Sequence, residues 1–307
     1  MSVYLKSFRF PDKYEEEELI KRRMWENAGP LGYIDNVYPC LIFPGKGLDA
    51  LELGGITLLY GGNGSGKSTV LNLIAKKLEL IRNAPFNSSE LFDAYTAACS
   101  FSMGEDDEGN TYRVPNGSRI ITSDDVFDYM LAVRENNEGI REDIELAKRE
   151  HYLLKSGKIP VKLNSMEDYE ALRRKVLACS KTVSRRKFIR KTVGEELKLR
   201  SNGETALDYF DSKLKPDTLY CLDEPENSMS PKLQLELVDM IEQAARYLGC
   251  QFIIATHSPF LLAMRGAAVY DLDSSPAGRK NWWELENIRV YYDLFKKNAR
   301  YFENETE

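Results

Sequence analysis

The chain is poor in transition-metal ligands: its 307 residues hold two histidines, His151 and His257, and five cysteines, Cys40, Cys99, Cys179, Cys221 and Cys250. The cysteines are scattered and no pair has the short spacing of a zinc site, so a metal cluster is not expected and the thiols read as reduced. Long apolar runs are missing too. None approaches the roughly 20 residues that a membrane-spanning helix needs, so no membrane segment is expected. Positive charge is not in excess: the formal net charge is −6, and a nucleic-acid partner would have to meet a local basic patch. The opening MSVYLKSFRFPDKYEEEE has no apolar stretch and turns acidic early. It does not read as a secretory signal, and a cytoplasmic location is expected. The remainder, 43% hydrophobic and 29% charged, is the composition of an ordinary globular protein.

SVYLKSFRF alternates apolar and polar residues and predicts an opening strand. The acidic stretch from Asp12 to Pro30 reads as an inserted loop or short helix. VYPCLIF and LGGITLLYGG read as strands, and KSTVLNLIAKKLELI as a helix directly after the second. Residues 104–118 are turn-rich and predict a surface connection. From about Ser123 to Lys213 the pattern is helical and charged. There Ile140, Ile144, Ala147 and His151 to Leu154 form one seam, and Tyr169, Leu172, Val176, Cys179 and Val183 a second, which predicts a short antiparallel hairpin. The chain then returns to α/β with strand TLYCLD, helix SPKLQLELVDMIEQAARYLG and strand QFIIATHS. A unit of that length is a right-handed parallel crossover.

Three short stretches carry chemistry. YGGNGSGKSTVLN runs from a strand into a helix and fits a phosphate-binding loop, Gly61-x4-Gly66-Lys67-Ser68. Gly61, Gly62, Asn63, Gly64, Ser65 and Gly66 let backbone N–H groups close round phosphates, and the helix N-terminus adds its positive end. Lys67 would reach the β- and γ-phosphates of ATP, Ser68 would ligate Mg²⁺, and Thr69 would touch the α-phosphate. LYCLDEPENSMSP sets Asp223 and Glu224 at the end of an apolar strand. Alone this is as good a turn; with the loop it supplies an acid to hold Mg²⁺ and a second, Glu224, to orient the attacking water. RSNGETALDYF reads as a capping box, Ser201-x-x-Glu204, or as an anion site at a helix start.

These stretches, in this order, resemble the ABC-type P-loop ATPase heads, from about Val3 to Asp273. The resemblance implies an α/β P-loop NTPase fold, a mixed sheet with parallel strands and an inserted helical lobe at about 123–213, all within one domain, 1–307. It implies that Ser201, Asn202, Gly203 and Glu204 stand for the signature loop, which meets nucleotide held by the opposite subunit. It further implies that His257 of ATHSPF contacts the γ-phosphate and that NSMSP, Asn227 to Pro231, is the loop across the dimer seam. Asp-Glu-Pro-Glu followed by Ser-Pro, and Thr-His-Ser-Pro, are similar to the RecF, Rad50 and SMC group and to small stand-alone AAA family ATPases. The expected function is therefore an Mg²⁺-dependent ATPase that dimerises round ATP and acts with a separate effector in a DNA-associated or defence-type system. A transporter nucleotide-binding subunit is the runner-up, and a small-molecule phosphotransferase would have no use for the signature.

Two departures matter. The first three glutamines are Gln234, Gln243 and Gln251, so no glutamine stands between the glycine loop and the signature; Ser102 or an acid near Asp124 are the candidate replacements. The helical hairpin is also too short for the long arms of Rad50 or SMC. For adenine stacking, Tyr38 or Phe43 would serve, though core packing suits either. SKTVSRRKFIRKTVGEELKLRS carries eight lysines and arginines against two acids. Arg185, Arg186, Lys187, Arg190 and Lys191 would contact DNA, or form one solvated helix face. At the C-terminus, Val290, Leu294 and Phe295 predict a closing helix packed on the core.

Overall fold

The computed structural model describes residues 2–28, 36–156, 169–180, 184–193 and 201–303. Strand β1 (Leu5–Arg9) buries Leu5 and Phe8 and pairs antiparallel on both sides, with β2 (Ala50–Glu52) and β4 (Ser100–Met103). The acidic segment after it forms helix α1 (Lys13–Ala28). Strand β3 (Ile56–Tyr60) is buried at every position and leads through the glycine loop into α2 (Lys67–Lys77). A short helix α3 (Phe92–Ala98) precedes β4.

Strands β5 (Arg119–Thr122), β6 (Leu219–Asp223), β7 (Gln251–Ala255), β8 (Ala268–Asp271) and β9 (Gly278–Lys280) complete a second sheet, in the order β5-β6-β7-β3-β8-β9. All its pairings are parallel except β8 with β9. Largely apolar runs such as ITLLY and QFIIA, buried at every position, suit strands covered on both faces. The fold is thus mixed α/β with a parallel-rich sheet, as the resemblance implies. Registers Thr122↔Asp223, Asp223↔Ala255 and Leu59↔Ala255 bring the carboxyl ends of β5, β6, β7 and β3 level. Loops after those ends share one edge, where open α/β sheets bind ligands.

Helix α7 (Asn202–Lys213) enters β6, and α8 (Pro231–Tyr247) joins β6 to β7. Ser230 precedes α8 in an extended conformation with Pro231 at the first helical position, and Gly249, at φ +65, follows its end. Helix α9 (Pro259–Leu262) is capped by Ser258, whose hydroxyl accepts from Phe260 N and Leu261 N.

The helical unit, Asp128–Ser201, lies inside the stretch 123–213. It contains most of α4 (Ser123–Lys155), with α5 (Tyr169–Cys179) and α6 (Arg185–Val193). On α4 the expected seam is present: Ile140, Ala147, His151 and Leu154 are buried. On α5 it is not. Val176 is 63% exposed and Cys179 is exposed, while Ala178 is buried against Leu154 and Phe188. Glu150 meets Arg174, and Cys179 Sγ meets Leu154 O. These contacts advance in the same direction along both helices, where an antiparallel hairpin would make one number fall as the other rises. The sequence pattern saw two helices; the third, α6, brings Phe188 against His151 (ring centroids 5.1 Å) and into the cluster. Val183 lies outside the described residues.

Two other expectations fail. VYPCLIF is not a strand: it turns (Cys40 N to Val37 O, 2.9 Å) and runs into a 3-10 turn, Pro44–Lys46. Pro39 and Pro44 remove ladder donors, and the apolar Cys40 and Phe43 are buried without pairing. Helix α10 (Glu286–Lys297) does not close the core: Ile288 is its buried residue, while Val290, Leu294 and Phe295 are 61%, 54% and 55% exposed. A short α11 (Arg300–Glu303) follows, with Tyr301 and Phe302 exposed as well. The sequence pattern records an apolar face, not what covers it.

Candidate functional site: the glycine loop and the acid and histidine beside it

The glycine loop leaves β3 and turns into α2 at Gly66, which takes φ +99. A Cβ there would lie 3.0 Å from Ile42 and 3.3 Å from Phe43, so both conformation and space call for glycine. Lys67 is 4% exposed and bends back over the loop, its Nζ donating to Gly61 O (2.7 Å) and Gly62 O (3.1 Å). Burial lowers the pKa of this ammonium, against the opposing charges of Glu224 and Asp223. A cavity of about 380 Å³ opens over the loop, lined by Tyr38, Ile42, Asn63 to Thr69 and Glu224.

The loop is braced from outside. Lys46 Nζ donates to Ser65 O and Leu272 O, both at 2.7 Å, and Gly62 N donates to Asp273 Oδ2 at 2.5 Å. Neither Lys46 nor Asp273 was visible in the sequence as part of the site, since their partners lie 19 to 226 residues away. Of the two aromatics, Tyr38 reaches the cavity and its hydroxyl donates to Thr69 Oγ1 (3.2 Å). Phe43 is fully buried and stacks on Phe10 (4.2 Å), so it is a core residue. Behind Tyr38, the buried Glu16 accepts from Leu41 N (2.6 Å) and Tyr95 Oη (2.9 Å), fixing the segment that carries it.

At the end of β6, Ser68 Oγ donates to Asp223 Oδ1 (3.0 Å). Burial raises the Asp223 pKa to about 6, opposed by the Ser68 bond. A hydroxyl and a carboxylate are hard oxygen donors, and this pair beside a cradle of loop N–H groups fits Mg²⁺. Glu224 takes φ +49, a left-handed conformation that side chains rarely adopt outside functional sites. Its Oε1 lies 3.1 Å from His257 Nε2, and its Oε2 accepts from Asn227 Nδ2 (3.1 Å). The same Nε2 lies 2.9 Å from Lys67 Nζ. One ring nitrogen cannot accept from lysine and donate to glutamate at once, so the nucleotide-free site holds one of these bonds at a time.

Glu226 is a residue that sequence reasoning quoted without a role. It is 8% exposed, and its Oε1 accepts from Thr256 Oγ1 (2.6 Å), His257 N (2.8 Å) and Ser258 N (3.0 Å). The third acid of Asp-Glu-Pro-Glu was the available signal. Arg82, in the segment after α2, donates from Nε to Ala84 O (2.7 Å) and lies over the Phe86 ring; burial lowers its pKa, opposed by the charges of Asp125 and Asp223.

The candidate replacements for the glutamine divide. Ser102 sits on β4 in the antiparallel sheet, bonded to Ser7 Oγ (2.6 Å), away from the loop. Asp124 opens α4, directly after the strand that pairs with β6, but it is exposed; Asp125 turns back to accept from Thr122 N and Oγ1. Of the signature, Asn202 and Glu204 are exposed and Gly203 is buried at the start of α7. A Cβ on Gly203 would lie 2.6 Å from Leu233 and 3.1 Å from Ser228 O, so glycine lets this helix end approach the 227–231 loop. The cavity lining includes none of Asn202, Gly203 and Glu204.

The raised Asp223 pKa has a stability consequence. A carboxylate that holds its proton more tightly in the folded chain is destabilising once ionised, so its contribution falls as pH rises from about 4 to about 6 and then levels. Asp223→Asn keeps an oxygen for Ser68 and removes the buried charge. It should stabilise the nucleotide- and metal-free protein by about 1–2 kcal/mol at pH 7. Thermal unfolding of both proteins between pH 5 and 8 checks this, and the gap should widen up to about pH 6.

Among the described residues no helix is long and apolar enough to cross a membrane. The sequence matches no curated protein. Similar solved structures include cbiO1 from Clostridium perfringens, part of the ABC transporter complex cbiONQ (17% identity, 82% of this chain and 89% of that chain, TM-score 0.38). Another is the Smc head domain with an extended coiled coil bound to the C-terminal domain of ScpA, from Pyrococcus furiosus (12%, 80% and 94%, TM-score 0.38). An AAA-domain family model, grouped with the AbiEii toxin of type IV TA systems, matches residues 201–263. The family model described as ABC transporter matches residues 50–227, more than half of the chain and inclusive of the glycine loop and Asp223–Glu224. The chain belongs to that family and is an ATP-binding ABC-type ATPase domain.

Proposed function

We propose that the chain is a stand-alone ATPase head of the RecF, Rad50 and SMC kind. Two copies close round two ATP molecules, hydrolysis reopens them, and the change of shape is passed to a separate effector in a DNA-associated or defence-type system. The observation that carries this reading is the convergence of His257 on Lys67 and Glu224, which line the glycine-loop cavity, with Nε2 of His257 2.9 Å from Nζ and 3.1 Å from the carboxylate. Lys67 and the loop N–H groups bind the phosphates. Glu224 orients and deprotonates the attacking water, and His257 holds the γ-phosphate edge once Lys67 has turned to the nucleotide. Mg²⁺, held by Ser68 and Asp223, would supply charge neutralisation on the phosphates. Ser201 and Gly203 serve the partner copy, and their side of the dimer is supported by the packing of Gly203 on Ser228.

A nucleic-acid surface has its own support. Arg185, Lys187 and Lys191 are exposed on α6; the side chains of Arg186 and Arg190 lie outside the described ones. A groove of about 880 Å³ in the helical unit is lined by Lys148, Arg149, Lys155 and Arg185 beside the exposed Tyr152, and by Glu142 and Glu145, the latter paired with Lys148; the basic excess supports contact with a phosphate backbone. The transporter reading is favoured by the description of the family model alone.

Steady-state Mg-ATP hydrolysis, with sedimentation in ATP and in ADP, tests the main reading: a dimer is expected in ATP only. Adding single- or double-stranded DNA at two salt concentrations tests the second. Salt-sensitive stimulation lost in Arg185→Ala/Lys187→Ala/Lys191→Ala supports it, and stimulation that persists in the variant refutes this surface.

A further inference from the structure

Glu224 and His257 come from loops after adjacent strands, and the pairing of those strands ends where Glu224 N donates to Ala255 O (2.9 Å). Beyond that point Glu226 links the two loops. Its Oε1 gathers the Thr256 hydroxyl and the backbone N–H groups of His257 and Ser258, all at 3.0 Å or less, and its own backbone O accepts from Met229 N (3.0 Å). Gln234 closes the circuit from the other side: its Oε1 accepts from Ser258 Oγ (2.6 Å) and its Nε2 donates to Met229 O (3.0 Å). The turn 223–229 and the turn 256–258 are thereby one hydrogen-bonded body, and the 227–231 loop that approaches Gly203 belongs to it. A neutral hydroxyl would offer weaker acceptance for three donors than a carboxylate does. The second oxygen, Oε2, is buried and has no partner among the described residues; that cost is offset by the three bonds on Oε1.

We propose that Glu226 is the positioning residue of the hydrolytic step: it sets the backbone of His257, and so the distance of the imidazole from the Glu224 carboxylate, and it couples that distance to the 227–231 loop. The proposal rests on the reading of Glu224 and His257 as the hydrolytic pair. Glu226 touches neither cavity nor nucleotide loop, so it should act on turnover and not on nucleotide affinity.

The experiment is Mg-ATP kinetics on the full chain, with thermal unfolding as the check on folding. Glu226→Ala leaves three donors without their acceptor, and a loosening of about 1 Å at the site is expected to lower kcat about 100-fold. KM for ATP should stay within about threefold, since phosphate binding remains with Lys67. Glu226→Gln keeps an acceptor oxygen and should exceed the alanine variant by about tenfold. The decisive measurement is the cycle with His257→Ala. If Glu226 acts through His257, the double variant turns over within about threefold of His257→Ala alone. Losses that multiply would overturn the proposal, as would a Glu226→Gln protein no better than Glu226→Ala. Should Glu226→Ala not fold, Glu226→Asp, which withdraws the oxygen by one methylene, is expected to lower kcat with KM unchanged, and wild-type kcat there overturns it equally. A His257→Ala protein with wild-type turnover would instead remove the role of His257 itself, a separate result.

Discussion

Glu224→Gln is expected to lower ATP turnover by about 10³-fold while leaving nucleotide binding intact. The side chain stands at the end of β6 on a left-handed backbone, its two oxygens committed to His257 and Asn227. The amide has the same length, so the turn and the β6–β7 pairing are undisturbed, and Lys67, Ser68 and Asp223 keep their places. What disappears is the negative charge that draws a proton from the attacking water. A protein that binds ATP and cannot spend it should accumulate in the closed form. Light scattering should therefore report a dimer that persists for hours in ATP, where the parent protein returns to monomer as ATP is consumed. Turnover at the parent rate would mean that another group is the base, and the acid pair at the end of β6 would be structural.

Lys67→Ala should weaken ATP binding by about 100-fold or more, since it removes a charge-assisted contact worth several hydrogen bonds to the phosphates. The variant separates binding from folding because of the pKa direction. Burial holds the folded-state pKa of this ammonium below its unfolded value, so the charge weakens the empty protein at neutral pH and only deprotonation at higher pH would relieve it. Removing the side chain should leave the melting temperature of the nucleotide-free protein unchanged or higher. The thermal shift that ATP gives the parent protein should vanish. A variant that still shows the full ATP-dependent shift would place the phosphates elsewhere.

The glycine loop, the acid pair and the histidine were legible because each is a local signal: glycine spacing between a strand and a helix, or a polar residue at the end of an apolar run. β3, β6 and β7 are five-residue stretches with four apolar residues each and left little choice of structure. The errors lie where local pattern and tertiary context part. VYPCLIF is apolar because Cys40 and Phe43 are buried, but Pro39 within it and Pro44 directly after it deny it a ladder. Val290, Leu294 and Phe295 have helical spacing and form a helix, yet periodicity could not say that their face stays open to solvent. Val176 and Cys179 fit a heptad, and the real core of the helical unit turned on Phe188 from a segment read only for its charge. The supporting residues were hidden by distance along the chain: Glu16 reaches Tyr95 across 79 residues, and Asp273 reaches Gly62 across 211. No spacing rule connects such pairs.

The brace on the glycine loop bears on which nucleotide state the protein can tell apart. With Lys46 holding Ser65 O and Leu272 O, and Asp273 holding Gly62 N, the loop has surrendered its conformational freedom before any phosphate arrives. Ligand capture then has little disorder to quench, and the contact energy of the diphosphate is almost fully expressed as affinity for ADP and ATP alike. Discrimination must therefore come from outside the loop, at the terminal phosphate, where Glu224 and His257 stand. A rigid cradle for the part of the nucleotide that never changes leaves Glu224 and His257 to read the part that does.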